Sequence, residues 1–130
     1  MVSILIRDEE IGGKVGQELR LDFEEETITL EELITRRVYE EVKRYNEKNS
    51  GVFRGLIQPE ASERILNGYK LKKNKKIDAE KQSYIALSAF QKGGFFVIVG
   101  ERQAEDLRET ITLTDRMPVS FIKLTPLAGG

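Results

Sequence analysis

The sequence predicts an α+β domain in which a mixed sheet of four or five strands is wrapped on one main helix, with a helical insertion. Three observations lead to this prediction. Two stretches near the start alternate apolar and polar residues around a glycine-containing loop, which is typical of a hairpin. A helical pattern that opens with a capping box follows at Thr29. Two apolar runs of strand length, residues 95–99 and 119–124, occur late in the chain.

The N-terminal hairpin is predicted from period-two alternation in residues 2–7 and 18–23. The apolar positions that share one face of this hairpin are Val2, Ile4, Ile6, Leu19, Leu21 and Phe23. Residues 8–16 contain three glycines and are predicted to form the connecting loop. They contain neither of the glycine patterns that hold a nucleotide phosphate, so a hairpin loop is the favoured interpretation.

The main helix is predicted to begin at the capping box Thr29-Leu-Glu-Glu32 and to run to about Glu47, before Asn49-Ser-Gly51. Apolar side chains recur at three- and four-residue steps and are expected to face the sheet: Leu30, Leu33, Ile34, Val38, Val42 and Tyr45. The charged side chains of the other face are expected to form a solvated surface: Glu31, Glu32, Arg36, Arg37, Glu40, Glu41, Lys43 and Arg44.

Residues 51–92 are predicted to be an insertion that ends in a second long helix. A short helix is expected at 59–67, and it is followed by a basic cluster of Lys70, Lys72, Lys73, Lys75 and Lys76. This cluster could bind an acidic surface or nucleic acid, but a solvated loop is favoured because no stacking platform accompanies it. Asp78 is predicted to cap the second helix, Ala79–Lys92, which is expected to bury Ile85, Ala86, Ala89 and Phe90 before Gly93-Gly94 ends it.

The last third of the chain is predicted to supply the remaining strands. Phe95–Val99 is uniformly apolar and is expected to be a buried strand, followed by a turn and a short edge strand near Gln103. Ile111 and Leu113 are expected to lie in a loop and to pack their side chains against the core. The final strand, Val119–Leu124, is apolar on both faces, so it is predicted to be central in the sheet and adjacent to the first strand.

Residues 125–130, Thr-Pro-Leu-Ala-Gly-Gly, are predicted to be a flexible tail that presents a carboxylate. An ionised α-carboxylate does not react with nucleophiles until it is activated, and adenylation with ATP is the expected activation. Because Gly129 and Gly130 lack a Cβ, an activating enzyme can surround the carboxylate closely and a thiolate or an amine can reach the acyl carbon. Pro126 stiffens the approach to the carboxylate, and Leu127 offers an apolar anchor.

The composition excludes several classes of site. The 130 residues include no cysteine and no histidine, which removes disulfides, thiolate metal sites and the usual general base. The net charge of −1 gives no global basic field for nucleic acid. With no phosphate loop or metal-ligand cluster in the sequence, no enzyme activity is expected and no bound cofactor or metal is predicted. No apolar run approaches the length of a membrane span, so no membrane contact and a cytoplasmic location are expected.

The ordered set of elements resembles the ubiquitin-like β-grasp family. Phe96-Val-Ile-Val-Gly-Glu-Arg-Gln-Ala-Glu-Asp106 resembles the strand–Gly–turn segment of ubiquitin. Val119-Ser-Phe-Ile-Lys-Leu-Thr-Pro-Leu-Ala-Gly-Gly130 resembles the ending of the sulfur carriers of thiamine and molybdopterin synthesis, and of bacterial ubiquitin-like modifiers of conjugation operons. The match covers about residues 1–47 and 94–130. The resemblance implies one ubiquitin-like domain over 1–124 with an insertion at about 51–92, and a tail over 125–130.

The resemblance implies a protein modifier as the expected function. Gly130 would be adenylated by an E1-like activating enzyme that uses ATP, and Gly129, Ala128, Leu127 and Pro126 would enter its channel. Transfer as a thioester through an E2-like conjugating enzyme would join Gly130 to an amine of a target protein, and a deconjugating protease is a further expected partner. The most accessible self-acceptors would be Lys72, Lys73, Lys75 and Lys76.

Two alternatives stay open at the level of the sequence. One is a sulfur carrier protein whose C-terminal Gly130 becomes a thiocarboxylate, which begins with the same adenylation. The other is an interaction module of the same fold in which the two terminal glycines have no chemical role. The insertion favours the modifier modestly, since additional surface is useful to a tag that several partners recognise.

Overall fold

The computed structural model describes residues 1–10, 15–48 and 78–124. Within these ranges the chain forms seven strands and two helices. In chain order they are β1 (Val2–Glu10), β2 (Val15–Phe23), β3 (Thr27–Thr29), α1 (Leu30–Lys48), α2 (Ala79–Gln91), β4 (Phe95–Val99), β5 (Arg102–Ala104), β6 (Thr110–Thr112) and β7 (Met117–Lys123).

The larger sheet has five strands in the order β2-β1-β7-β4-β5. β1 and β7 run parallel, whereas the other neighbouring pairs are antiparallel. A tight turn cannot join parallel neighbours, so the chain between β1 and β7, including α1, crosses over from one to the other. β7 is the central strand and lies next to β1, which confirms the prediction for the first and last strands. The described chain is therefore an α+β domain with a mixed five-stranded sheet.

A second sheet of two short strands leads into α1. β3 pairs antiparallel with β6, and Ile28 lies opposite Ile111. The predicted capping box is confirmed at the end of β3. The Glu32 N–H donates to Thr29 Oγ1 at 3.1 Å, and the Thr29 N–H donates to Glu32 Oε1 at 2.9 Å. These two bonds satisfy amide groups that the first helical turn leaves without intrahelical partners.

The core lies between one face of the five-stranded sheet and α1. All six apolar side chains of the predicted α1 stripe are buried, as are the six inward positions of the N-terminal hairpin. β4 and β7 contribute Val97, Val119 and Phe121, each at most 1% exposed. Because burying one large aliphatic side chain stabilises a fold by about 1.5–3 kcal/mol, this shared layer accounts for the association of helix and sheet.

The second helix packs on the core, as predicted, and it lies against α1 and β4. Asp78 is its N-cap and accepts from the Lys81 N–H, and the helix ends at Gln91, followed by Gly93 at φ 81°. Its fully buried side chains are Gln82, Ser83 and Ala86. Phe90 is half-buried and its ring centroid lies 5.7 Å from that of Phe95. Ala89 also packs on the core, whereas Ile85 is half-buried and is not part of that packing in the described chain.

The strands of the hairpin are longer than predicted. β1 extends to Glu10 and β2 begins at Val15, with a register shift between Arg7 and Glu9. The predicted loop over residues 8–16 is therefore wrong at both ends. Asp8 lies on the same inward face of β1 as the alternating apolar residues before it, and Arg37 of α1 compensates its charge. The strand therefore continues beyond the last apolar residue of the alternating pattern.

Two C-terminal strands also differ in detail from the prediction. β4 is buried on one face only, because Phe96 on the opposite face remains 37% exposed. β7 begins at Met117 and includes Pro118. Pairing of β7 with β4 ends at Val119, so the missing donor of Pro118 falls beyond the ladder. The Pro118 carbonyl still accepts from the Gly100 N–H at 2.9 Å.

Several sequence predictions fall outside the described residues. These are the stop after α1, the short helix at 59–67, the basic cluster at 70–76 and the tail at 125–130. Neither described helix combines the length and the apolar character that crossing a bilayer requires.

Candidate functional site

The candidate site is the end of β7, because this strand carries the chain into the predicted tail. Lys123 is the last residue of the strand and lies opposite Phe95 at the start of β4. One residue later, the Leu124 N–H faces the Gly94 carbonyl at 3.4 Å. The main chain is therefore paired with the β4 side of the sheet as far as residue 124.

Contacts hold β7 on both faces just before the strand ends. On the inner face, Phe121 is 1% exposed and its ring centroid lies 5.8 Å from that of Phe95. On the outer face, the Ser120 hydroxyl donates to Glu9 Oε2 at 2.9 Å. A strand fixed by a packed aromatic side chain below and a hydrogen bond above gives the tail a defined starting point.

A buried ion cluster lies beneath the same stretch of β7. We use this name for Asp8 of β1, Gln17 of β2, and Arg37 and Glu41 of α1. The Arg37 side chain is 0% exposed. Its Nη1 and Nη2 atoms donate to both carboxylate oxygens of Asp8, at 2.5 and 2.7 Å, and its Nε donates to Glu41 Oε1 at 3.1 Å. The Gln17 amide nitrogen bridges the two carboxylates, at 3.3 Å from each.

The buried ion cluster contacts β7 through an aromatic ring. The guanidinium carbon of Arg37 lies 4.6 Å from the centroid of Phe121, and Asp8 is the register partner of Phe121 across the parallel pair. Burial alone would lower the pKa of Arg37, but the hydrogen bonds that it donates to Asp8 and the charges of Glu41 and Asp8 raise the pKa above its ordinary value. Arg37 is therefore a permanent cation that links α1, β1 and β7.

The burial of Arg37 and Glu41 corrects the prediction that both belong to a solvated face. The two residues lie at the three- and four-residue steps that also place Leu33, Ile34 and Val38 toward the sheet. The spacing alone could have placed them inward. The sequence nevertheless predicts an outward position for them, because a charge is rarely buried unless it is paired, and the partner, Asp8, is 29 residues away in sequence.

The face of the sheet opposite the helices forms an apolar outer surface. Register and alternation place Phe96 beside Ile122 and Ile98 beside Ser120 on this face, with Leu5 on β1. Leu5 is 49% exposed and Phe96 is 37% exposed, whereas Ile98 and Ile122 are half-buried. No described helix covers these side chains, and the Phe96–Ile122 pair lies directly before the end of β7. Such a surface is a candidate contact for a partner protein.

Two clefts flank the sheet. The first has a volume of about 620 Å³ and lies between the C-terminal end of α2, the start of β4 and the loop after β5. The carboxylates of Glu31, Glu105 and Asp106 line it. The second, of about 610 Å³, lies at the opposite edge of the sheet, between β2 and α1, and arginine and lysine side chains dominate its lining. The first cleft is acidic and the second is basic, although the chain as a whole is nearly neutral.

The residues predicted to carry the chemistry lie outside the described ranges. They are the proposed conjugation residues Gly130 and Gly129, the tail residues Ala128, Leu127 and Pro126, and the self-acceptors Lys72, Lys73, Lys75 and Lys76. The structure places only the strand from which the tail departs. Among the described residues, acidic side chains do not cluster into a group that could hold a metal ion.

Comparisons with known proteins assign the chain to no family. No protein-family model matches it, and neither a curated protein nor a solved structure shows significant similarity to it.

Proposed function

We propose that the chain is a ubiquitin-like protein modifier with a β-grasp fold, activated at the carboxylate of Gly130. The strand order supports the fold proposal. A parallel central pair, β1 and β7, with antiparallel strands on either side and one long helix across one face is the arrangement expected of a β-grasp. Helix α2, which lies within the predicted insertion, is added to this plan without interrupting the sheet order.

The observation that carries the functional proposal is the position of β7. The central strand of the sheet runs to Lys123, and seven residues later the sequence reaches Gly130. A strand paired on both sides is among the most rigid parts of a domain, whereas a segment that ends in two glycines is narrow and adaptable. This combination suits a carboxylate that must enter the slot of another enzyme while the domain remains folded.

The proposed chemistry has three steps, each supplied by a partner. A carboxylate oxygen of Gly130 attacks the α-phosphorus of ATP, pyrophosphate leaves, and an acyl adenylate forms on the activating enzyme. A cysteine thiolate of that enzyme attacks the acyl carbon, AMP leaves, and a thioester forms, which passes to a conjugating enzyme. An amine of the target then attacks the thioester, the thiol leaves, and an amide remains. The modifier contributes the carboxylate and has no thiol that could divert the thioester.

The apolar outer surface is proposed to help the activating enzyme hold the tail. Phe96 and Ile122 are opposite each other one residue before the strand ends. A protein that binds residues 125–130 would therefore lie close to this pair. Partner binding would remove the exposed part of the Phe96 ring from water. A Phe96→Ser substitution should therefore raise KM for activation while leaving kcat largely unchanged, and Tyr84→Ser, an exposed aromatic change on α2, is the matched control.

The first test asks whether Gly130 is the residue that is adenylated. Full-length chain and a variant that lacks Gly129 and Gly130 are compared in ATP–pyrophosphate exchange with the activating enzyme of the native host. The deletion lies beyond the described core, so the melting temperature should be unchanged while exchange is lost. Exchange that persists after the deletion would reject Gly130. As a control, the intact mass of the protein purified from its host is measured to check that Gly130 carries a free carboxylate.

The second test separates the modifier from the sulfur carrier. An N-terminal affinity tag is suitable because Met1 is exposed and precedes β1. For a modifier, tagged chain from host cells should include higher-mass species that survive thiol reductant, because an amide does not undergo thiol exchange. Digestion should then find Gly130 joined to an amine. If only free protein and a form with one oxygen replaced by sulfur are found, the sulfur carrier is correct.

A further inference from the structure

The side of α1 that faces away from the sheet carries an aromatic ring between two cations. Arg36, Tyr39 and Lys43 follow one another at steps of three and four residues, so they lie on one face of the helix. All three side chains are exposed, and Tyr39 is 44% exposed. Because an α-helix rises about 1.5 Å per residue, about 10 Å along the helix axis separates the two cations, with the ring between them.

A second exposed ring lies beside Tyr39 on the neighbouring helix. Tyr84 of α2 is 62% exposed, and α2 packs against α1. The Glu80 carboxylate, which accepts from the Tyr84 hydroxyl at 3.3 Å, raises the pKa of Tyr84, and the nearby Tyr39 contributes in the same direction. The two rings are therefore neighbours on one surface. We call Arg36, Tyr39, Lys43 and Tyr84 the helical face.

The two cations of the helical face have no carboxylate partner among the described residues. Arg36 donates to the Asp22 main-chain carbonyl at 2.9 Å, and its guanidinium carbon lies 4.5 Å from the centroid of the Phe23 ring. Lys43 forms no ion pair within the described ranges. A ligand that brings negative charge to this face would therefore gain two partners that no described carboxylate already neutralises.

The cleft beside the helical face adds to its positive charge. Its four cations include Arg20 and Arg44, and its two carboxylates, Asp22 and Glu40, pair with these two arginines at 3.4 and 2.9 Å. The local charge is +2, whereas the net charge of the chain is −1. The attraction for an anion is thus confined to this part of the surface, and charge alone provides only a modest affinity.

Cations that flank exposed rings suit a ligand that combines phosphates with flat aromatic groups. A single-stranded nucleic acid has both, and stacking of its bases on aromatic side chains is tolerant of sequence because every base has a π-face. An acidic peptide would satisfy the cations but would leave the two rings without stacking partners. A duplex keeps its bases stacked on one another and offers no free base to a ring.

We propose that the helical face binds single-stranded nucleic acid without preference for sequence. One base stacks on Tyr39 and a neighbouring base on Tyr84, while phosphates meet Arg36 and Lys43. Glu80, beside Tyr84, keeps the phosphates on the α1 side of the two rings. The proposal does not depend on the chemistry of the tail.

The test uses the full chain and fluorescently labelled single strands of about eight nucleotides, one of thymidine and one of uridine, with binding followed by fluorescence anisotropy. Both strands should bind, and the logarithm of the association constant should fall with the logarithm of salt concentration with a slope of about 1.4, since each neutralised phosphate contributes about 0.7. A strand of the same length without bases, a duplex and polyglutamate should each bind at least about fivefold more weakly, because stacking is lost.

Substitutions separate stacking from charge. Tyr39→Ala should weaken binding about tenfold and leave the salt slope unchanged, whereas Tyr39→Phe, which keeps the ring, should retain the affinity. Lys43→Ala should weaken the binding of both strands equally and lower the salt slope by about 0.7. Arg108→Ala removes an exposed cation at the acidic cleft, so it is the matched control for Lys43→Ala and should change neither quantity.

Four results would overturn the proposal. The first is the absence of binding at about 0.1 mM protein in low salt, the weak end of the range for non-specific nucleic-acid binding. The second is equal binding of the strand without bases or of polyglutamate, which would reduce the interaction to charge. The third is wild-type affinity in Tyr39→Ala or an unchanged salt slope in Lys43→Ala. The fourth is perturbation of backbone amide resonances only within residues 70–76, which would place the strand on the lysine cluster.

Discussion

Replacing Arg37 by methionine tests the buried ion cluster directly. The substitution keeps an unbranched side chain of similar length beneath Phe121 but removes the cation between Asp8 and Glu41. Three charge-assisted hydrogen bonds of 2.5–3.1 Å disappear, and two carboxylates, each less than a tenth exposed, lose their contact with the guanidinium. Breaking a buried pair by removing one partner costs about 3–5 kcal/mol, so we expect a loss in this range.

The assay is urea denaturation followed by circular dichroism, with midpoints compared at constant slope. Arg44→Met is the matched control, because Arg44 is on the same helix and pairs with Glu40 four residues away, but its side chain is 46% exposed. That exposed pair should contribute no more than about 0.5 kcal/mol. A third variant that makes Asp8, Arg37 and Glu41 all apolar should recover most of the stability lost in Arg37→Met, since these two carboxylates are then no longer buried without the guanidinium.

The reasoning would be refuted if Arg37→Met and Arg44→Met lowered the free energy of unfolding by the same amount.

Three further predictions concern the elements around the site. Phe90→Ala should cost about 2 kcal/mol in a chemical denaturation experiment, below the 3–5 kcal/mol of a fully buried phenylalanine, because the ring is half-buried; a change under about 0.5 kcal/mol would show that α2 is peripheral. Thr29→Ala should cost about 1 kcal/mol by removing the cap of α1, and Thr112→Ala, on an exposed position of β6, should cost less. The hydrogen bond from Arg102, and secondarily that from the Glu105 N–H, lowers the pKa of Glu109 in the folded state. Its contribution to stability is therefore present above the unfolded-state pKa and lost as the pH falls through the folded value, so the stability difference between wild type and Glu109→Gln should shrink on acidification from pH 7 to about pH 3.

Local patterns were sufficient to predict most of the fold. Alternation of apolar residues located the inward faces of β1 and β2, and the capping box located the start of α1 to the residue. The two-sided apolar character of β7 predicted its central position, which the strand order confirms. These predictions succeeded because period, capping and burial are properties of residues near one another in sequence.

The candidate site was less predictable. The sequence suggested the tail from Gly129 and Gly130, but the structure places only the strand that leads to it. The apolar outer surface was hidden because β4 is apolar at every position, and only the placement of both helices on one side of the sheet decides that Phe96 is exposed while Phe95 is buried. The basic cleft between β2 and α1 likewise depends on β2 being an edge strand.

By itself, the sequence determined the type and approximate position of the longer elements, the inward face of the main helix and the central position of the last strand. Only the tertiary structure decided that Arg37 and Glu41 are buried. Their positions on α1 have the spacing of core residues, but a charge can occupy such a position only when a partner compensates it. That partner is Asp8, which the parallel pairing of β1 with β7 brings under the same helix. The free energy of burying a charge thus depends on a residue that is distant in sequence, and no local pattern contains it.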